Sequence, residues 1–152
     1  MQVLESILLI DDDHPTNFLH ARVLRKIGYK GEIHEAYNAE KALDFLRSDS
    51  ARAAEHSSSP VQLIFLDLNM PRVNGWEFLD LYSQEFTSNE HIIVVLTTSL
   101  NPDDERRAYN SPLVKAFHRK PLAGEMVKDL VQADFIAFWT VNSCASGITP
   151  TD

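Results

Sequence analysis

At 152 residues the chain fits one domain, and it carries 14 basic against 22 acidic side chains, a net charge of −8. A domain of that size buries roughly 70% of the surface its unfolded chain exposes, so it needs no disulfide or metal staple. Apolar content of 44% and charged content of 24% exclude a largely disordered chain, and the acidic balance argues against direct nucleic-acid binding.

Cys144 has no second cysteine to pair with, which fits a reducing compartment. The N-terminus lacks a secretory pattern: the first basic residue is Arg22, and the apolar run from Ile7 to Ile10 stops at three aspartates. No apolar stretch approaches a membrane span, so a cytoplasmic protein is expected.

Strands and helices alternate along the chain. Ile7 to Ile10 reads as a strand covered on both faces. Asp13 is a candidate helix cap, with Pro15 near the first position. The helix it opens carries Phe18, Leu19, Val23, Leu24 and Ile27 and stops at Gly28. A weaker strand falls near Glu32 to Ala36. Asn38 then caps a second helix with Ala42, Leu43, Phe45 and Leu46 inward. Residues 48–60 are polar and Ser-rich, and read as a mobile loop or frayed helix end.

Val61 to Leu66 is the next buried strand. A helix is predicted from Gly75 to Phe86, and within it Trp76 reads as a packing residue. Ile92 to Leu96 is the most β-branched run and ends at Thr97. Asn101-Pro102 followed by three acids is a strong helix start. A fifth strand falls near Lys115 to His118, a last helix from Leu122 to about Asn142, and a tail over 143–152. Five strands alternating with helices imply a parallel sheet with helices on both faces, and such sheets bind ligands beyond the carboxyl ends of their strands.

The groups expected at that edge are Asp11, Asp12 and Asp13 after the first strand, Asp67 after the third, Thr97 and Thr98 after the fourth and Lys120 after the fifth. Taken singly, each is ordinary turn, cap or surface chemistry. Together they form a set of carboxylates that repel unless a cation screens them, and hard oxygen ligands select Mg²⁺. A carboxylate so placed can act as a nucleophile toward phosphorus, with a lysine and a hydroxyl to meet the phosphoryl oxygens. Asp11-Asp12-Asp13 also contains the Asp-x-Asp spacing of haloacid-dehalogenase-type phosphatases, but Pro15 stands where that signature has Thr or Val. No phosphate-binding P-loop and no G-x-G-x-x-G turn occurs.

Ile-Leu-Leu-Ile-Asp-Asp-Asp (7–13), Ile-Phe-Leu-Asp-Leu-Asn-Met-Pro-x-x-x-Gly (64–75), Val-Val-Leu-Thr-Thr-Ser (94–99) and Lys-Pro (120–121) together resemble the receiver domain of two-component response regulators. The resemblance covers roughly residues 4–135, with the receiver domain expected over 1–142. It implies a flavodoxin-like (βα)₅ fold with strand order 2-1-3-4-5. It also implies phosphotransfer from a histidine kinase or phosphotransfer protein.

By motif position Asp67 matches the phosphoacceptor. Asp12 matches the direct ligand of Mg²⁺ (or another divalent cation such as Mn²⁺), Asp11 its partner, and the Asn69 main-chain carbonyl a further ligand. Thr97 matches the switch hydroxyl, Lys120 the lysine that pairs with phosphoryl oxygens, and Phe117 the aromatic switch position, where the family often has Tyr. The Lys120–Pro121 bond is expected to be cis, as X–Pro bonds alone allow at modest cost. Asp13 is read as a cap rather than a ligand. Asn69 and Ser99 flank the site, placed to position or exclude a hydrolytic water.

The chain is thus expected to be a single-domain regulator, not an enzyme in the ordinary sense, with self-catalysed phosphotransfer and autodephosphorylation. It would act through the face of helix four, strand five and helix five. The apolar run Phe135 to Trp139 points to a homodimer there or to a segment folded back on its own domain. A phosphorylation-independent interaction module and an aspartyl-phosphate phosphatase are the alternatives.

Overall fold

A computed structural model describes residues 5–56, 61–87 and 90–127. Its elements are β1 (Ser6–Ile10), α1 (His14–Lys26), β2 (Glu32–Ala36), α2 (Ala39–His56), β3 (Leu63–Leu66), α3 (Gly75–Ser83), β4 (Ile92–Thr97), α4 (Pro102–Asn110) and β5 (Val114–Arg119). Residues 124–127 are again helical. The predicted end of the last helix, the Phe135 to Trp139 run, Cys144 and the tail over 143–152 lie outside the described residues.

All five strands are parallel, in the order β2-β1-β3-β4-β5. The period-two alternation of a strand sends successive side chains to opposite faces. In β1, Leu8 and Ile10 join Ile64, Leu66 and Ile93 under α2 and α3. Ile7 and Leu9 join Leu63, Phe65, Val94 and Leu96 on the other face, with Leu24 of α1, Leu122 and Val127. Residues buried on both faces account for the uninterrupted apolar runs.

Local signals set the helix starts. Asp13 caps α1, accepting from the Thr16 N–H at 3.0 Å, with Pro15 in the first turn. Asn74 opens α3 with a reciprocal capping box to Glu77. Asn101 caps α4 ahead of Pro102 and accepts from the Asp103 N–H. These agree with the sequence expectations, except that α3 ends at Ser83 rather than Phe86.

The larger difference is at 48–60. Instead of fraying, α2 runs on to His56, and Ser57–Pro60 lies outside the described residues. The cause is Asp49, a buried acid whose carboxylate accepts from the Val61 N–H at 2.6 Å and pairs with Arg52 one turn on at 2.8 Å, while Ala53 is buried beside it. A polar sequence thus makes a regular helix because one of its acids caps the entry to the next strand. In α1, Phe18 and Leu19 face solvent, and Asn17, His20 and Leu24 are the buried positions.

Candidate functional site

Parallel strands place every strand's carboxyl end on one edge, so Asp11, Asp67, Thr97 and Lys120 converge there though they are far apart in sequence. Asp11 follows β1 directly, and its N–H donates to the Ala36 carbonyl of the β2 end at 3.1 Å. The Asp67 N–H donates to the Ile10 carbonyl at 2.9 Å, extending the β1–β3 pairing by one residue. The Lys120 N–H donates to the Thr97 carbonyl at 2.9 Å and likewise extends β4–β5. Backbone pairing therefore carries all four side chains into the site. The Lys120–Pro121 peptide is cis, as expected.

Asp11, Asp12 and Asp67 offer carboxylate oxygens that all lie within 4.8 Å of one another. Asp11 and Asp67 are buried and Asp12 is exposed. The Lys120 ammonium pairs with Asp11 Oδ2 and stands 3.4 Å from Asp67 Oδ1. Three carboxylates against one ammonium leave a deficit of about two positive charges, which suits a divalent cation with oxygen ligands. Burial, and then the charge of Asp11, push the Asp67 carboxyl up to about 6, against the opposing pull of Lys120 and of the Asn69 N–H. At pH 7 Asp67 is therefore mostly ionised, yet more basic than a surface aspartate. Asp13 stays with its helix: its hydroxyl and N–H bonds from Thr16 hold its carboxyl below the ordinary value. It is not among the clustered carboxylates.

The rest of the shell is polar and specific. The Thr97 hydroxyl is fully buried and accepts from the Ser99 N–H at 3.2 Å, with Asn69 Nδ2 at 3.5 Å. The Asn69 N–H also reaches Asp67 Oδ1 at 3.3 Å. Phe117 is half-buried on β5, and the Arg119 guanidinium lies 5.6 Å from its ring centre. Gly75 is required by close approach: a Cβ there would meet the Asp67 carbonyl oxygen at 2.7 Å and Leu68 Cα at 2.8 Å. Met70, in the loop that follows Asp67, is buried in the core cluster on the α2–α3 face.

Two residues of α1 escape sequence reasoning. Asn17 is buried, and its Nδ2 donates to the Asp11 carbonyl at 3.1 Å, while its Oδ1 has no hydrogen-bond partner among the described residues. His20, one turn on, is buried near Lys120 and Asp11, and burial holds its imidazole below the ordinary value. A polar residue at a helical-spacing position carries no signal of facing inward; only the seating of α1 on the sheet buries it.

A buried aspartate at the end of a central parallel strand, flanked by two further carboxylates, a hydroxyl and an ammonium, forms a compact acidic site at the carboxyl edge of a flavodoxin-like sheet. Residues 7–132 match the response regulator receiver domain family, and the chain belongs to it. It is 33% identical over 126 residues to the probable methanogenesis regulatory protein FilR2 of Methanothrix harundinacea, covering 83% of this chain and 78% of that one. It is also 33% identical over 121 residues to the response regulator Rcp1 of a Synechocystis species, covering 76% and 80%. A two-component response regulator from Cytophaga hutchinsonii superposes with a TM-score of 0.77 at 33% identity, covering 87% of this chain and 97% of that one. The chain is a receiver domain of two-component signalling, a family whose members are generally not classical enzymes. Among the described residues no helix is long and apolar enough to cross a membrane.

Proposed function

We infer that Asp67 is the phosphoacceptor. A carboxylate oxygen of Asp67 attacks the phosphorus of a phosphohistidine on a histidine kinase or phosphotransfer protein. The N–P bond breaks, the imidazole leaves, and an acyl phosphate forms. Asp11, Asp12, Asp67 and the Asn69 main-chain carbonyl would hold Mg²⁺, which when bound neutralises charge on the phosphoryl oxygens. Lys120 meets the same oxygens from the opposite side, and the Thr97 hydroxyl donates to one of them once it turns inward. Phe117 then repacks, and the face of α4, β5 and the helix after them changes its preference for a partner or a second copy. Leu100, just before α4, and Tyr109, on it, are both exposed and are apolar groups such a partner would cover.

The observation that carries this reading is the position of Asp67: buried, 3.4 Å from Lys120, within one cluster with Asp11 and Asp12. Incubation with acetyl phosphate and Mg²⁺ is expected to add one phosphoryl group by intact mass, and Asp67→Asn to add none. Labelling of the variant at the wild-type rate would remove Asp67 from the role, and steady turnover of a small phosphoester in place of stoichiometric labelling would favour a phosphatase.

A further inference from the structure

The segment leaving the switch hydroxyl is tied down by a contact that phosphate chemistry does not require. Ser99, two residues past Thr97, donates its N–H to Thr97 Oγ1 at 3.2 Å. Its own hydroxyl donates to Asp104 Oδ2 at 2.5 Å and accepts from the Asn101 N–H at 3.2 Å. Its carbonyl accepts from Arg119. The other oxygen of Asp104 accepts from the Trp76 indole N–H at 3.1 Å, and the Arg107 guanidinium lies 4.5 Å from the Trp76 ring centre. One carboxylate on the first turn of α4 therefore joins α3 to the segment that carries Thr97.

We propose that Asp104 is a latch on the switch: by gripping Ser99 against Trp76 it holds the Ser99 N–H on the Thr97 hydroxyl and keeps that hydroxyl in its resting position. This rests on Asp67 being the phosphoacceptor. When Thr97 turns toward a phosphoryl group, its oxygen leaves the Ser99 N–H unless residues 98–101 follow. They follow only if Ser99 leaves Asp104. A contact made in one state and not in the other stabilises the first, and its removal shifts the equilibrium to the second. Asp103 and Glu105 share the first turn of α4 and favour its dipole equally, but neither reaches Ser99 or Trp76 in the described contacts. Asp104 differs from them by this bridge.

The test is titration of the full chain with beryllium fluoride and Mg²⁺, with the bound fluoride followed by ¹⁹F NMR. Trp139→Phe is used as the background, so that the Trp76 indole N–H resonance reports the latch alone. That resonance is expected to shift at saturation. Asp104→Ala is expected to bind the mimic about three- to tenfold more tightly, the scale of one lost hydrogen bond, and Asp103→Ala to bind as the parent does. Equal or weaker binding by a folded Asp104→Ala, or tighter binding by Asp103→Ala to the same extent, would overturn the latch. Should Asp104→Ala fail to fold, Ser99→Ala and Trp76→Phe cut the same bridge from its two ends. Unchanged affinity in both of these variants would overturn the latch equally. A parent that binds no mimic at all, or an Asp67→Asn variant that binds it, instead overturns the assignment of Asp67.

Discussion

Burial and the neighbouring charge of Asp11 make the ionised form of Asp67 a cost to the folded state. Its carboxyl titrates near 6 in the fold against an ordinary value of 3.8, so the folded chain binds the extra proton between those limits. Ionising it thus costs stability as pH rises from about 4 to about 6, and the cost stays in full above that. Asp67→Asn is expected to raise the melting temperature by a few degrees at pH 7 in the absence of metal and to change little near pH 4, as followed by circular dichroism. Protons and a divalent cation compete for the same oxygens. The affinity for Mg²⁺ is therefore expected to fall as pH drops below about 6, measurable by titration at fixed ionic strength. An affinity independent of pH over that range would place the cation elsewhere.

At the scale of elements, the site depends on how tightly α3 starts against the end of β3. The Gly75 N–H donates to the Leu68 carbonyl at 2.9 Å, and the space where a Cβ would sit is filled by backbone atoms, which cannot give way as a flexible side chain would. Gly75→Ala is expected to cost about 1–3 kcal/mol in denaturant unfolding and to weaken Mg²⁺ binding, since the displaced atoms belong to Asp67 and Leu68. Asn74→Ala, which removes only the capping box, is expected to cost about 1 kcal/mol and leave the metal affinity nearly unchanged. A Gly75→Ala variant with parental stability and affinity would show that the turn can relax.

For the whole molecule, the two ends of the sheet behave differently. The carboxyl edge gathers acids. Near the start of β4, His91 is buried, with Nδ1 2.6 Å from the Tyr82 hydroxyl and Nε2 without a hydrogen-bond partner among the described residues. Burial lowers the His91 imidazole below its ordinary 6.5, as it does that of His20. The unfolded chain therefore takes up protons first as pH falls. The stability that these neutral histidines confer is full above about 6.5 and drains away below it. Thermal unfolding between pH 7.5 and pH 6 is expected to show a loss of stability on acidification that is smaller in His91→Gln. Below pH 6 the protonation of Asp67 works in the opposite sense. An identical slope in parent and variant would assign the loss to other groups.

Much of this was legible in the chain because the signals are local. Apolar runs ending in Asp11, Asp67 and Thr97 mark strands buried on both faces, and the caps at Asp13 and Asn101 follow from a side-chain oxygen placed to accept an orphan N–H. The strand order followed from the resemblance to receivers, and the convergence of distant acids at one edge from the parallel sheet. What the tertiary structure alone decided concerns groups whose partners are remote. Asp49 makes a helix of a Ser-rich stretch by reaching Val61. Asn17 and His20 are buried while Phe18 and Leu19 are exposed, because the seating of α1 rather than its composition sets its inward face. Asp104 joins Ser99 to Trp76, which stands 28 residues before Asp104 in the chain. Hydrophobic periodicity reports which face is apolar. It is silent on which polar atom finds which partner, since hydrogen bonds are short, directional and fixed only once the elements have packed.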